Sequence, residues 1–186
     1  EGTPLATPTL GEPLATPTLE STPTPFVTPT ETLLPPLELP PPAFSAPAAE
    51  FWLGNPTYPA DSIPGTLFRL EYDPALWAVT EGYYGQIVLA HRIIPYCVIT
   101  PQAGRGLPPD WRVEHERRKV GEMEFEVNTA YRDNQIQFVT YIGGDDRIYT
   151  GFAVSFQEQM EECFSDAESV LATLRSASSA EVTPVP

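Results

Sequence analysis

The chain has two cysteines, two methionines and two histidines in 186 residues, and only ten lysines and arginines against 25 aspartates and glutamates. Each shortage excludes something. Two cysteines cannot build a multi-thiolate metal centre or a disulfide-dense scaffold. A net charge of −15 repels phosphate backbones and anionic headgroups, because the counterion release that drives nucleic-acid binding needs clustered Lys and Arg. No apolar run reaches 18 residues, so no stretch of sequence reads as a membrane-spanning helix. No lysine or arginine precedes Arg69.

What fills the basic-free start is proline and threonine. Residues 1–48 hold 13 of the 23 prolines and ten threonines, and Pro4–Glu12 is followed by the near-repeat Pro13–Glu20 before decaying into Thr-Pro dipeptides. Proline fixes φ, removes a donor and pushes the preceding residue toward extended backbone, so the tract is expected to sample polyproline II and not a helix or a sheet. At about 3.1 Å per residue, forty such residues reach on the order of 100 Å. Residues 1–48 therefore read as a disordered stalk or linker, suited to O-glycosylation or to plain solvation. Residues 49–176 read as one globular domain and residues 177–186 as a disordered tail. The chain begins at Glu1 without methionine, and an export signal or a lipid anchor upstream of Glu1 is the attachment expected.

The domain has the size to bury one core without metals or several disulfides. Its 19 acidic residues against ten basic ones leave it about nine charges negative. Cys97 and Cys163, an even pair beside a secretory-type stalk, are expected to form one disulfide and to place the domain outside the cytoplasm, secreted or held at the cell surface.

Alternation along Phe68, Leu70 and Tyr72 predicts a strand ended by Asp73-Pro74, with Leu76–Val79 a strand or short helical turn. Ile87–Ala90 and Tyr96–Ile99 read as a second pair of strands around Pro95. Met123, Phe125 and Val127 alternate with three glutamates, the pattern of a half-buried strand. A hairpin across Val120-Gly121 would set Lys119 against Glu122 and Arg117 against Glu124. That register turns Arg118 and Glu116 toward the apolar face. Ile136–Ile142 and Ile148–Phe156 flank Gly143-Gly144-Asp145-Asp146, a hairpin signal. Ser165 and Glu168 have capping-box spacing, and Ala167, Val170, Leu171 and Leu174 follow at helical intervals, which predicts a C-terminal helix packed on a sheet. The class expected is α+β with an antiparallel sheet.

The run Phe68-Arg69-Leu70-Glu71-Tyr72-Asp73-Pro74-Ala75-Leu76-Trp77, a strand followed by D-P-x-x-W, resembles the opening of PsbP-like domains. The closing strand and the helical Ala167–Leu174 segment are similar to the end of those modules. The resemblance covers about residues 62–176, implies an α/β/α sandwich used in extracytoplasmic binding or assembly, and brings no catalytic residues with it.

No motif specifies a reaction. Cys97 with His91 or His115 would make a nucleophilic pair only if the thiol were free. Asp145-Asp146 and the Glu122/Glu124/Glu126 ladder concentrate oxygens but lack calcium-loop spacing, so no metal or cofactor is expected. Trp52, Tyr58, Tyr83, Tyr84, Tyr96 and Trp111 lie outside the clearest strands. Of these, Tyr83, Tyr84 and Trp111 are the candidate contacts for a protein or carbohydrate partner at the cell envelope, with Trp111 equally suited to the core. The reading favoured is a monomeric, non-enzymatic binding or assembly module on a flexible stalk. A small secreted hydrolase using carboxylates or the Cys/His pair, and an architectural spacer of an envelope protein, are the alternatives.

Overall fold

Alternation of buried and exposed positions along Thr66–Tyr72 gives a strand with Phe68, Leu70 and Tyr72 on one face, as the sequence pattern requires. The computed structural model describes residues 49–104 and 111–179, so the segment expected to be a stalk and the end of the expected tail lie outside the described residues. The strands are β1 (Glu50–Gly54), β2 (Thr66–Tyr72), β3 (Trp77–Glu81), β4 (Ile87–His91), β5 (Val98–Pro101), β6 (Arg112–Val120), β7 (Met123–Arg132), β8 (Gln135–Gly143) and β9 (Thr150–Ser155). Helix α1 (Met160–Leu171) follows, and β10 (Arg175–Ser178) closes the described chain. The strands form a small sheet, β1-β2-β10, and a seven-stranded one, β3-β4-β5-β9-β8-β7-β6, with every pairing antiparallel. The class is α+β.

The small sheet and α1 share one face of the large sheet. Phe68 of β2 meets Phe152 of β9 edge-on at 5.2 Å between ring centroids, and Trp52 of β1 stands edge-on to Phe68 at 5.3 Å. Such edge-to-face pairs contribute about 0.5–1.5 kcal/mol each beyond the area they bury. Cys163, Ala167, Val170 and Leu171 point from α1 into the same core, beside Phe125, Val127 and Tyr141 of the large sheet. Trp77 is core, as is Trp52, which the sequence placed outside the clearest strands.

Several expectations are corrected. Val98, not Tyr96, opens β5, because Tyr96 takes a left-handed φ of 60° in the preceding turn. The β6–β7 turn is Gly121-Glu122. Gly121, at φ 61°, takes the left-handed position, Val120 stays buried on the ladder opposite Met123, and Lys119 and Arg117 face Glu124 and Glu126. The Lys119–Glu122 ion pair survives as a contact across the turn, at 3.5 Å.

Helix α1 begins at Met160, five residues before the capping box. Ser165 is therefore inside the helix, where its carbonyl accepts from the Ser169 hydroxyl, and Glu168 reaches across to Arg118 and Tyr141. The early start places Cys163, buried and bridged to Cys97, within the helix's first turn. The ordered chain also runs past residue 176. Ala177 and Ser178 pair with Leu67 and Thr66 in β10, and the Asp145 carboxylate anchors that strand by accepting from the Ser176 backbone N–H at 2.8 Å.

Candidate functional site

The three aromatic candidates do not converge. Tyr83 and Tyr84 sit on the β3–β4 turn, 42% and 92% exposed, where the Tyr84 N–H donates to the Gln86 side chain. Trp111 enters β6 at the other edge of the large sheet and lies tilted against Phe138 at 5.8 Å. The strand order puts them six strand spacings apart, about 29 Å across the sheet, at opposite ends of the strands as well.

The Cys/His pair is not available. Cys97 and Cys163 are joined, with an S–S distance of 2.07 Å and Cα atoms 5.7 Å apart, and no free cysteine remains to supply a thiolate. The His91 side chain is 2% exposed. Its Nδ1 accepts from the backbone N–H groups of Ile93 and Ile94 at 3.1 and 2.9 Å, so Nε2 carries the proton and donates to Asp166 Oδ2 at 3.2 Å. Trp77 packs edge-on to the ring at 4.7 Å. Burial pushes the His91 imidazole below its usual range, and Asp166 opposes that shift only in part. His91 thus ties the β4–β5 loop to α1, in parallel with the disulfide. His115 stands on the outward face of β6, with Nδ1 2.5 Å from Asn128 Oδ1.

A concave site forms along β6, where the sequence reading set cross-strand charge pairs and turned Arg118 and Glu116 toward the apolar face. β6 is an edge strand, and the face it turns toward the core side carries Arg112, Glu114, Glu116 and Arg118, opposite Tyr131, Thr129, Val127 and Phe125 of β7. The first turns of α1 stop short of covering this row. Between them opens a groove of about 650 Å³, inside the range of about 300–1,000 Å³ typical of small-ligand sites. Met160 and Phe164 of α1 form its apolar wall, Thr129, Val139 and Tyr141 its floor, and Glu114, Glu116 and Arg118 its charged wall.

The polar groups of the groove are locked to one another. Arg118 Nη1 lies 2.5 Å from Glu168 Oε1, and its other terminal nitrogen pairs with Glu116. Burial opposes the guanidinium charge, but the bonds to Glu168 and Glu116 outweigh it and hold Arg118 above its ordinary pKa. The Tyr141 hydroxyl donates to Glu168 Oε1 at 2.8 Å, and burial first, then Glu168, drives that phenol far above its usual value. At the other end, the Tyr131 hydroxyl donates to Glu114 Oε2 at 2.9 Å, a bond that raises its pKa. Arg112 pairs with the same glutamate and lies 4.0 Å over the Tyr131 ring. Each groove carboxylate already has a cationic or phenolic partner, so the arrangement offers oriented donors and acceptors to a ligand.

The sequence carried one signal for this groove. A β6–β7 hairpin necessarily turns Arg118 and Glu116 toward the apolar side, and the structure satisfies that oddity with Glu168 and Tyr141. No family model, no curated protein and no solved structure matches the chain.

Proposed function

We propose that this chain is a non-enzymatic extracytoplasmic binding module, carried on the Thr/Pro segment, whose protein or carbohydrate partner places a group in the groove between α1 and β6. The observation that carries this reading is the groove itself, with an apolar helix wall facing a strand of pre-paired charges and two tyrosine hydroxyls. An apolar wall supplies affinity, and fixed polar groups supply orientation. Internal neutralisation speaks against proton-transfer chemistry: Tyr131 and Tyr141 are held protonated, and the glutamates are committed as acceptors. The Cys97–Cys163 bridge fits a compartment where disulfides persist. Among the described residues no helix is long and apolar enough to cross a membrane.

Kinship with PsbP-like domains is part of the same proposal. In its favour, β2 ends at Asp73-Pro74, the backbone turns there through bonds from Leu76 and Trp77 N–H to the Asp73 carbonyl, and Trp77 is buried beyond the turn. Strand β9 then leads into α1 at the far end of the fold. The second helical layer of an α/β/α sandwich has no counterpart among the described residues.

The test is a screen of the full chain on glycan and peptide arrays, repeated with Met160→Glu, which charges the apolar wall at a side chain 36% exposed, and with Tyr131→Phe. A partner that binds the parent chain and loses about tenfold or more with Met160→Glu, at unchanged melting temperature, supports the groove. A partner retained equally by both variants refutes it.

A further inference from the structure

The opposite face of the same three strands holds a second cavity. On the outward side of β6, β7 and β8, register brings His115, Asn128 and Thr140 into one row across the sheet, with Val113, Ala130 and Phe138 as the neighbouring row toward one end and Ile142 toward the other. Gln102 and Gly104, just past β5, complete a pocket of about 230 Å³. Trp111 packs on Phe138 and extends the aromatic surface beside it.

We propose that this pocket is a binding site for a single neutral sugar ring, independent of the α1–β6 groove. Size sets the first limit: the volume is below the range of about 300–1,000 Å³ that drug-sized ligands occupy, and it admits one ring or a short branch. Chemistry sets the second. Asn128 Oδ1 faces His115 Nδ1, which leaves the Asn128 amide donors and the Gln102 side-chain amide without a hydrogen-bond partner among the described residues. An apolar ligand would bury those amides unpaired, at a cost in affinity. A phosphate or carboxylate ligand would enter a strongly acidic protein at a pocket whose described lining residues include no lysine or arginine. A sugar meets both conditions, since its hydroxyls donate and accept to the amides and imidazole while its C–H face lies on Phe138. The row spans two strand spacings, about 10 Å, which suits a pyranose with its substituents.

The experiment is ligand-observed saturation-transfer NMR on the full chain with the methyl glycosides of glucose, mannose, galactose and N-acetylglucosamine, each titrated to about 50 mM, well past millimolar dissociation constants. At least one is expected to bind saturably. Asn128→Ala is expected to weaken it about tenfold, Trp111→Ala by a smaller factor, and Met160→Glu in the groove not at all. Should Asn128→Ala fail to fold, Gln102→Ala, at a side chain that lines this pocket and not the groove, reads the same site. The proposal is overturned if no glycoside binds saturably, if Asn128→Ala, or Gln102→Ala in its place, and Trp111→Ala all leave binding unchanged, or if binding is lost with Met160→Glu instead.

Discussion

Replacing both cysteines by alanine is expected to remove about 4 kcal/mol of stability. The bridge spans a sequence separation of 66 residues, and in the chain-entropy treatment closing a loop of that length costs the unfolded chain about 4 kcal/mol of conformational freedom that the native state has already lost. A domain of this size is stable by about 5–15 kcal/mol, so the variant gives up a quarter or more of its margin. At about 4 °C per kcal/mol, its melting temperature falls by about 16 °C.

Urea titrations of the parent and of Cys97→Ala/Cys163→Ala, followed by tryptophan fluorescence, measure the difference, and the slope should rise in the variant because its unfolded chain is free to expand. The second tether sharpens the test. Asp166 lies one turn past Cys163 on α1, and His91, whose backbone N–H donates to the Cys97 carbonyl at 2.8 Å, belongs to the same loop as Cys97. Asp166→Asn should therefore cost more in the absence of the bridge than in its presence, with a coupling of about 0.5–3 kcal/mol. A loss below about 1 kcal/mol with an unchanged slope would refute the reasoning, for it would mean that packing alone confines α1 and that the bridge does not restrict the unfolded chain.

Two further outcomes follow from buried polar groups. Because burial depresses the folded-state pKa of His91, the unfolded chain takes up a proton first as pH falls: the contribution to stability is complete above the unfolded value of about 6.5 and is lost as pH drops through the folded value. Melting temperatures at pH 8 and pH 5 should differ in that sense, and His91→Gln should flatten the difference. Tyr141→Phe should cost about 1 kcal/mol, since Glu168 keeps Arg118, whereas Glu168→Ala should cost about 1–3 kcal/mol by leaving the buried Tyr141 hydroxyl without its acceptor. Thermal unfolding of the two single variants and the double one checks both figures, and a larger cost for Tyr141→Phe than for Glu168→Ala would contradict them.

Much of the sheet was legible because its signals are local. Alternation in Phe68–Tyr72 and Met123–Val127, and the glycine-aspartate turn after β8, each mark a strand or a turn within a few residues. The disulfide needed only the count of two cysteines and the Thr/Pro-rich composition beside them. Features decided by distant partners were not legible. β10 exists because Asp145, 31 residues upstream, holds Ser176, and because β2 offers an edge to pair with. Likewise α1 starts at Met160, five residues before the capping-box spacing at Ser165, and its first turn carries Cys163 to the distant Cys97. Tyr83, Tyr84 and Trp111 looked alike as loop aromatics, and strand order alone separates them to opposite corners.

The charges of β6 connect these observations. An edge strand exposes a row of unpaired backbone groups that invites another strand, and charged side chains are one means of blocking such pairing. Here eight residues from Arg112 to Lys119 carry seven charged or titratable side chains, alternating between the two faces. On the core side that alternation would bury Glu116 and Arg118 against apolar Val127 and Phe125. α1 meets the strand with Glu168 to neutralise Arg118, and its first turns leave the rest of the row open. On the outward side the same period places His115 beside Asn128 and leaves amide donors facing a small cavity. One strand, kept polar on both faces because it is an edge, thus supplies a wall to each of the two concavities described. Of the three aromatic candidates, Trp111 borders the outward pocket through Phe138, while Tyr83 and Tyr84 line neither concavity.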